Sequence, residues 1–277
     1  MDSIHAALPP NCDALGLPHP SCQPGLDDVR IVSLVPSLTE LLFALGLGPY
    51  IVGRTGFCMH PRRIVKSVAK VGGTKDVNLD KIRRLAPTHL LVNIDENEKP
   101  CVEQLAQFIP HVLVTHPCTL HDNFTLYRFL GEVFSRQRQA ENLCRALQRG
   151  VDALPAAPAL EEVLYCIWRD PWMSIGRGTY ISHMLSLIGW QSWQPPVAPG
   201  EEEKRYPVFS WEQVAARPPA RILLSSEPYR FELPHAHALQ QQTGLPVQLV
   251  DGEMFSWFGS RAVYGVEYLR ALRAAAL

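Results

Sequence analysis

The stretch Asp122–Leu154, DNFTLYRFLGEVFSRQRQAENLCRALQRGVDAL, decides how this chain is organised. Its apolar residues Leu126, Tyr127, Leu130, Val133, Phe134, Ala140, Leu143, Cys144, Leu147, Val151 and Leu154 recur at steps of three and four, a stripe along one face of a helix. Asp122 has the side chain of an N-cap, and Pro155 with Pro158 closes the far end. At 1.5 Å rise per residue, about 33 residues span about 50 Å, more than one small domain needs. The spacing predicts a single helix over 122–154 that braces two lobes, with a ligand between them.

The flanks read as those lobes. RIVSLV from Arg30 is rich in β-formers, and Ser37 with Glu40 has the spacing of a capping box at the head of a helix ended by Gly46. Strands follow at Ile51–Arg54, His89–Asn93 and Val112–Thr115, with helices from Asn78 to Leu85 and near Pro100 to Phe108. Beyond Leu154 the alternation resumes. EVLYCIW, RILLSS and VQLV are strands, Thr179–Ile188 a helix, Ser210 with Gln213 a second capping box, and Arg261–Ala276 the closing helix. Strands alternating with helices of this length pair in parallel through crossovers. The predicted class is α/β, two Rossmann-like lobes joined by one long backbone helix. The predicted domains are a flexible leader over 1–29, an N-terminal lobe over 30–121, the helix over 122–154 and a C-terminal lobe over 155–277.

Composition narrows the function. A chain of 277 residues, 47% hydrophobic, is ample for two cores. A formal net charge of −1 leaves no basic surplus to neutralise phosphates, which argues against nucleic acid. No apolar run approaches the roughly 18 residues of a membrane span, and the first residues lack a basic start followed by an apolar core. Seven scattered cysteines fit reduced thiols better than a disulfide framework. The expectation is a cytoplasmic monomer, periplasmic only if the true start lies upstream.

In open α/β sheets, ligands bind beyond the carboxyl ends of the strands. The first lobe places Pro36, then Phe57, Cys58 and His60, then Asp95, Glu96 and Asn97, then His116 at such positions; the second places Trp168, Trp172, Tyr229, Glu253 and Trp257 there. The ligand contacts predicted from these sets are Pro36, Phe57, Cys58, His60, Glu96, Asn97, Trp168, Trp172 and Trp257, the aromatics covering a large flat ligand. Cys58 and His60 form a Cys-x-His pair, thiolate with imidazole, that suits contact with a metal or a metal-bearing cofactor. His235 and His237 at a helix start read as solvated. There is no GxSxG elbow, HExxH or GxxxxGK[ST] loop, so hydrolase, zincin and P-loop readings have no anchor.

At RIVSLVPSLTELLFALGLG, GGTKDVNLDKIRRLAPTHLLV, the 122–154 segment and YPVFSWEQVAARPPARILL, the chain resembles the class III substrate-binding proteins of cobalamin and iron-siderophore ABC importers, the helical-backbone metal receptors. The resemblance runs from about Arg30 to Leu272. It implies two Rossmann-like lobes, little hinge motion, and capture of a ligand without chemistry. In the cobalamin branch one carboxylate on each lobe docks onto permease arginines, and by motif these match Asp80 in NLDKI and Glu212 in SWEQV. Tyr206 in YPVF matches a ligand-clasping aromatic of that branch, whereas Thr74 in GGTKD and Asn93 in LLVNID stand where it has tryptophans.

Together these readings predict a non-catalytic protein that binds a corrinoid or another metal chelate, as an ABC-importer receptor or an intracellular carrier. Cobalamin or a related chelate is the ligand rather than a catalytic cofactor, and an ABC permease is the implied partner. The alternatives are a siderophore, haem or metal-ion binder, a chelatase-like enzyme using His60, Glu96 and Glu253 on a metal and a tetrapyrrole, or an interaction module with an empty cleft.

Overall fold

The computed structural model describes residues 11–155, 160–197 and 200–275; the first ten residues of the expected leader, Pro158 and the last two residues lie outside these. The described chain forms two compact units, the first comprising 11–117, 121–146 and 258–261, the second the remainder.

Unit 1 is built on a parallel sheet of order β3-β2-β1-β4-β5. The strands are β1 (Ile31–Ser33), β2 (Ile51–Arg54), β3 (Ala69–Lys70), β4 (His89–Asn93) and β5 (His111–Thr115), with α1 (Pro36–Ala44), α2 (Leu79–Arg84) and α3 (Lys99–Ala106) between them. Val32, Leu34, Leu90 and Val92 are buried with Val71, Ile82, Leu105 and Ile109 in one core, as central parallel strands covered by helices require. Asn78 caps α2 through its side chain, accepting from Lys81 N at 2.8 Å. The capping box expected at Ser37 and Glu40 does not form. Pro36 takes the first helical position, so Val35 becomes the N-cap and Ser37 falls inside the helix, buried.

The 122–154 segment is two helices, α4 (Asp122–Val133) and α5 (Gln137–Asp152), rather than one. His121, not Asp122, is the N-cap. Ser135 adopts a left-handed φ of 51°. Arg136 N donates to Gly131 O at 2.7 Å and Ser135 N to Glu132 O at 3.4 Å, the paired bonds of a Schellman motif. That motif ends most often at glycine, and a serine in the position gives no warning in the sequence. Gly131 has no side chain for a reason: a Cβ there would stand 2.6 Å from Ala140 Cβ. The expected single helix is therefore broken at 134–136, within unit 1, and it is α5 that carries the chain across the boundary between units at 146–147.

The expected leader is also partly structured. Residues 11–29 lie on unit 1, with Ala14 N donating to Val114 O, Cys22 N to Val133 O and Ser135 Oγ to Cys22 O. Leu26 and Asp13 are buried. Proline and cysteine there mark an irregular path, which periodicity cannot distinguish from a free one.

Unit 2 holds a second parallel sheet, of order β7-β6-β8-β9. Its elements are β6 (Glu161–Cys166), α6 (Tyr180–Ser186), β7 (Trp190–Ser192), α7 (Trp211–Ala216), β8 (Arg221–Ser225), α8 (Leu233–Thr243), β9 (Val247–Val250), α9 (Gly252–Ser256) and α10 (Arg261–Ala275), whose first residue belongs to unit 1. The Ser210–Gln213 capping box forms as expected. Leu164, Cys166, Ile222 and Leu224 pack with Trp193, Phe209 and Phe231 in its core. His235 is partly exposed, as expected at a helix start, and also accepts from Glu232 N at 3.0 Å, closing the start of α8. No helix among the described residues is long and apolar enough to cross a membrane.

Candidate functional site

In unit 1 the strand-end residues split into an exposed set and a buried polar set. Phe57, Met59 and Ile64 project from the loop after β2. Between them Cys58 turns inward, 1% exposed, with Thr39 Oγ1 at 3.0 Å and Thr55 Oγ1 at 3.1 Å from its sulfur. Burial raises the pKa of this thiol, against the opposing pull of those hydroxyls and the Arg54 guanidinium. The Cys58 sulfur of the expected Cys58–His60 pair is thus enclosed by hydroxyls rather than presented to solvent. Among the described residues no group of three or more His, Cys, Asp and Glu stands together as a metal centre would require.

Beyond β4, Asn97, expected among the ligand contacts, is buried and ties two segments together. Its Oδ1 accepts from Asn93 N at 2.9 Å and its Nδ2 donates to Thr74 O at 2.9 Å, joining the end of β4 to the GGTKD turn. Asn93 itself points inward and donates to Thr115 O. Glu96 is partly exposed, and Asp95 Oδ2 stands 3.5 Å from His116 Nε2. Pro36 opens α1 directly after β1. Phe57 Cε2 lies 3.5 Å from where a Cβ on Gly73 would stand, so the ring lies over the same turn that carries Thr74.

In unit 2 the aromatics separate by exposure. Trp168 is 39% exposed and meets Tyr229 edge-on at 5.8 Å. Tyr206 is 37% exposed on a segment that runs beside 173–176, held by Ser174 N to Pro207 O and Gly176 N to Arg205 O. Trp172, expected at the ligand, is partly buried against the core of unit 2: it stacks on Phe231 at 5.7 Å and 11° and meets Trp211 edge-on at 5.0 Å. Trp257 is only 8% exposed, its indole Nε1 donating to Glu227 Oε1 at 2.8 Å. Ser256 Oγ donates to the same oxygen at 2.6 Å. Burial raises the Glu227 pKa, and the neighbouring Glu253 and Asp251 push it the same way.

Two concavities of unit 2, about 590 and 360 Å³, are lined by neither Trp168, Tyr206 nor Tyr229. Val208, exposed beside Tyr206, lies outside the ligand contacts predicted from the sequence. The alternation of exposed Tyr206 and Val208 with buried Pro207 and Phe209 is the signal that would have found it. Asp80 and Glu212 are both exposed in the first turns of α2 and α7, and the Ser210 hydroxyl and the Glu212 backbone lower the Glu212 pKa.

With this arrangement, the model of the periplasmic binding protein family matches residues 31–245. The chain belongs to that family. A vitamin B12-binding protein of Pectobacterium carotovorum is 24% identical over 245 residues, covering 87% of this chain and 86% of that protein. An uncharacterized ABC transporter substrate-binding lipoprotein of Bacillus subtilis is 27% identical over 170 residues, 57% of this chain and 53% of that one. Among solved structures, the periplasmic vitamin B12 binding protein of Vibrio cholerae superposes with a TM-score of 0.72 at 21% identity, covering 89% of this chain and 97% of its own. The periplasmic heme-binding protein of Roseiflexus in its apo form gives 0.73 at 21% identity over 90% and 99%. The fold resemblance drawn from the sequence motifs is thereby met, including the two parallel-sheet units.

Proposed function

We propose that this chain is a non-catalytic receptor for a cobalamin-like corrinoid or a comparable flat metal chelate, which it passes unchanged to the permease of an ABC importer. The observation that carries the reading is the display of Phe57 and Trp168 beyond strand ends and of Tyr206 on the segment beside 173–176, in a chain whose full-length relatives include vitamin B12-binding proteins. Large rings left in water at such positions gain about 25 cal/mol per Å² when a ligand covers them. Phe57, lying over the GGTKD turn, supplies an apolar face beside Thr74, where the cobalamin branch has a tryptophan. The metal is cargo inside its chelate, and the reading needs no protein side chain to coordinate it.

Haem is the second ligand to test. Arg62, Arg63 and Lys66 are exposed on the same loop as Phe57, and such cations suit the carboxylates of a haem. Asp80 and Glu212 are the proposed permease-docking carboxylates, and reversing either charge should abolish transport while leaving ligand affinity intact.

Titration calorimetry with cobalamin and with haem tests the reading. A dissociation constant at or below micromolar, about −8 kcal/mol, is expected for one of them. Mass spectrometry of the eluted ligand should find it unaltered. Absence of binding to both, or a chemically changed product, overturns it.

A further inference from the structure

Two imidazoles stack, with a third close enough to act on them electrostatically, where residues 11–29 cross the amino ends of β4 and β5. His89 and His111 are register partners in the sheet, and their rings stack at 4.8 Å and 28°. His19, on the N-terminal segment, is 7% exposed, with Nε2 3.3 Å from Asp13 Oδ2 and its ring edge-on to Phe129. His89 is 5% exposed, its Nδ1 2.8 Å from Thr88 Oγ1 and its Nε2 3.5 Å from Cys22 Sγ. Phe134, at the α4–α5 break, closes the other side of the His89 ring at 5.1 Å.

Charge around this cluster is poorly balanced. The N-terminal segment contributes Asp13, His19 and the Cys22 thiol, and β5 contributes His111. From α4, Glu132 is engaged by Ser21 Oγ at the surface, and the Arg30 guanidinium before β1 is taken by the Leu85 and Ala86 carbonyls. Asp13 is thus the carboxylate inside the cluster, and its Oδ1 already accepts from Leu15 N and Leu17 N. A proton on His89 would place a cation in a buried site beside two further imidazoles.

The same residues hold the segment down. Cys22, against His89, is anchored through its backbone to Val133 O and Ser135 Oγ, and Asp13, against His19, is anchored to Val114 N at 3.3 Å. A cation at His89 therefore acts on the points that attach the segment to the unit.

We propose that residues 11–29 are a proton-released strap: protonation of His89 within the His19–His89–His111 cluster undocks the segment from β4, β5 and the α4–α5 break of unit 1. Burial first, then His111 and His19, lowers the His89 pKa from 6.5 to about 4. His111 is lowered as well, by burial and by His19. The docked form refuses a proton that the undocked form accepts. Docking is therefore at full strength above about pH 6.5 and weakens as pH falls towards 4, by up to about tenfold per pH unit for one proton.

Hydrogen exchange of the full chain between pH 7.5 and 4.5, corrected for intrinsic rates, tests this, with β8 and β9 as internal reference. Protection of residues 11–29 should fall at least tenfold between pH 6.5 and 5 while β8 and β9 hold. His89→Gln, neutral at every pH, should keep the strap protected throughout. Equal protection at both ends of the range, or an undiminished pH response in His89→Gln, overturns the proposal. If His89→Gln fails to dock at any pH, the ring titration of His89 in the parent chain decides by NMR. Titration that coincides with loss of strap protection supports the strap, and titration with the strap still protected overturns it.

Discussion

Arg261 and Glu40, 221 positions apart in the chain, meet as a bidentate pair: Nε to Oε2 at 2.9 Å and Nη2 to Oε1 at 2.6 Å. Both are largely buried, at 10% and 17% exposure. Beside them Asn123 Oδ1 accepts from Gly259 N at 2.6 Å and Tyr127 OH donates to Gly259 O at 2.8 Å, so residues 258–261 are fastened into unit 1 by α1 and α4. Replacing Arg261 with Met strands a carboxylate and should cost about 3 kcal/mol in denaturant unfolding. The double variant Glu40→Met/Arg261→Met should recover most of that loss. Equal losses in the single and double variants would assign the cost to packing rather than charge.

Gly131→Ala tests the break between α4 and α5. The added methyl meets Ala140 Cβ at 2.6 Å and should destabilise by about 1–3 kcal/mol. Ala140→Gly in the same chain should relieve much of it. A neutral single variant would mean the two helices approach less closely than described.

The aromatic residues of unit 2 should divide by readout. Trp168→Ala and Tyr206→Ala should weaken ligand binding at least tenfold, about 1.4 kcal/mol, with melting temperature little changed. Trp172→Ala, which empties a site stacked on Phe231, should lower stability by about 3–5 kcal/mol. Calorimetry and thermal unfolding on the three variants decide, and a binding loss confined to Trp172→Ala would contradict the assignment.

Cys58 should behave as an inert thiol. Its buried sulfur and raised pKa predict slow alkylation at pH 8 in the folded chain, accelerating on addition of denaturant. Cys58→Ser should leave ligand affinity unchanged. Rapid labelling under native conditions would show the sulfur to be accessible.

Glu227 predicts a pH dependence of opposite sense to the histidines. Its folded pKa is raised above 4.5, so its contribution is greatest in acid and declines as pH rises through 4.5 towards the folded value. Glu227→Gln keeps an acceptor for Ser256 and Trp257 without the charge. It should be more stable than the parent at pH 8, with the difference vanishing near pH 4. Stability curves of both chains against pH test the sign, and a variant less stable at pH 8 would refute it.

Much of the architecture was legible because it rests on local pattern. β1, β2, β4, β5, β6, β8 and β9 are short β-rich runs, and the Asn78 cap and the Ser210–Gln213 box are encoded within four residues. Short β3 and β7 and the five-residue α9 carry too little pattern to be read, and Ser135 hides a helix end that glycine would have announced. At the site, strand ends located Phe57 and Trp168 because topology alone places them, whereas Tyr206 was legible only through the YPVF motif. Whether a ring or thiol at a strand end faces out or in depends on distant partners: Phe231 and Trp211 claim Trp172, Thr39 and Thr55 enclose Cys58, and Glu227 takes the indole of Trp257.

The sequence by itself determined the α/β alternation, the two-sheet organisation and the membership of the family, since periodicity, caps and motif strings are properties of neighbouring residues. The tertiary structure alone decided which strand-end side chains are displayed, where the connecting helix breaks, and that residues 11–29 are docked over His89 and His111. Those outcomes depend on burial and on pairs remote in the chain, Cys22 with His89 and Arg261 with Glu40, whose energies exist only once the fold has brought them within a few ångströms.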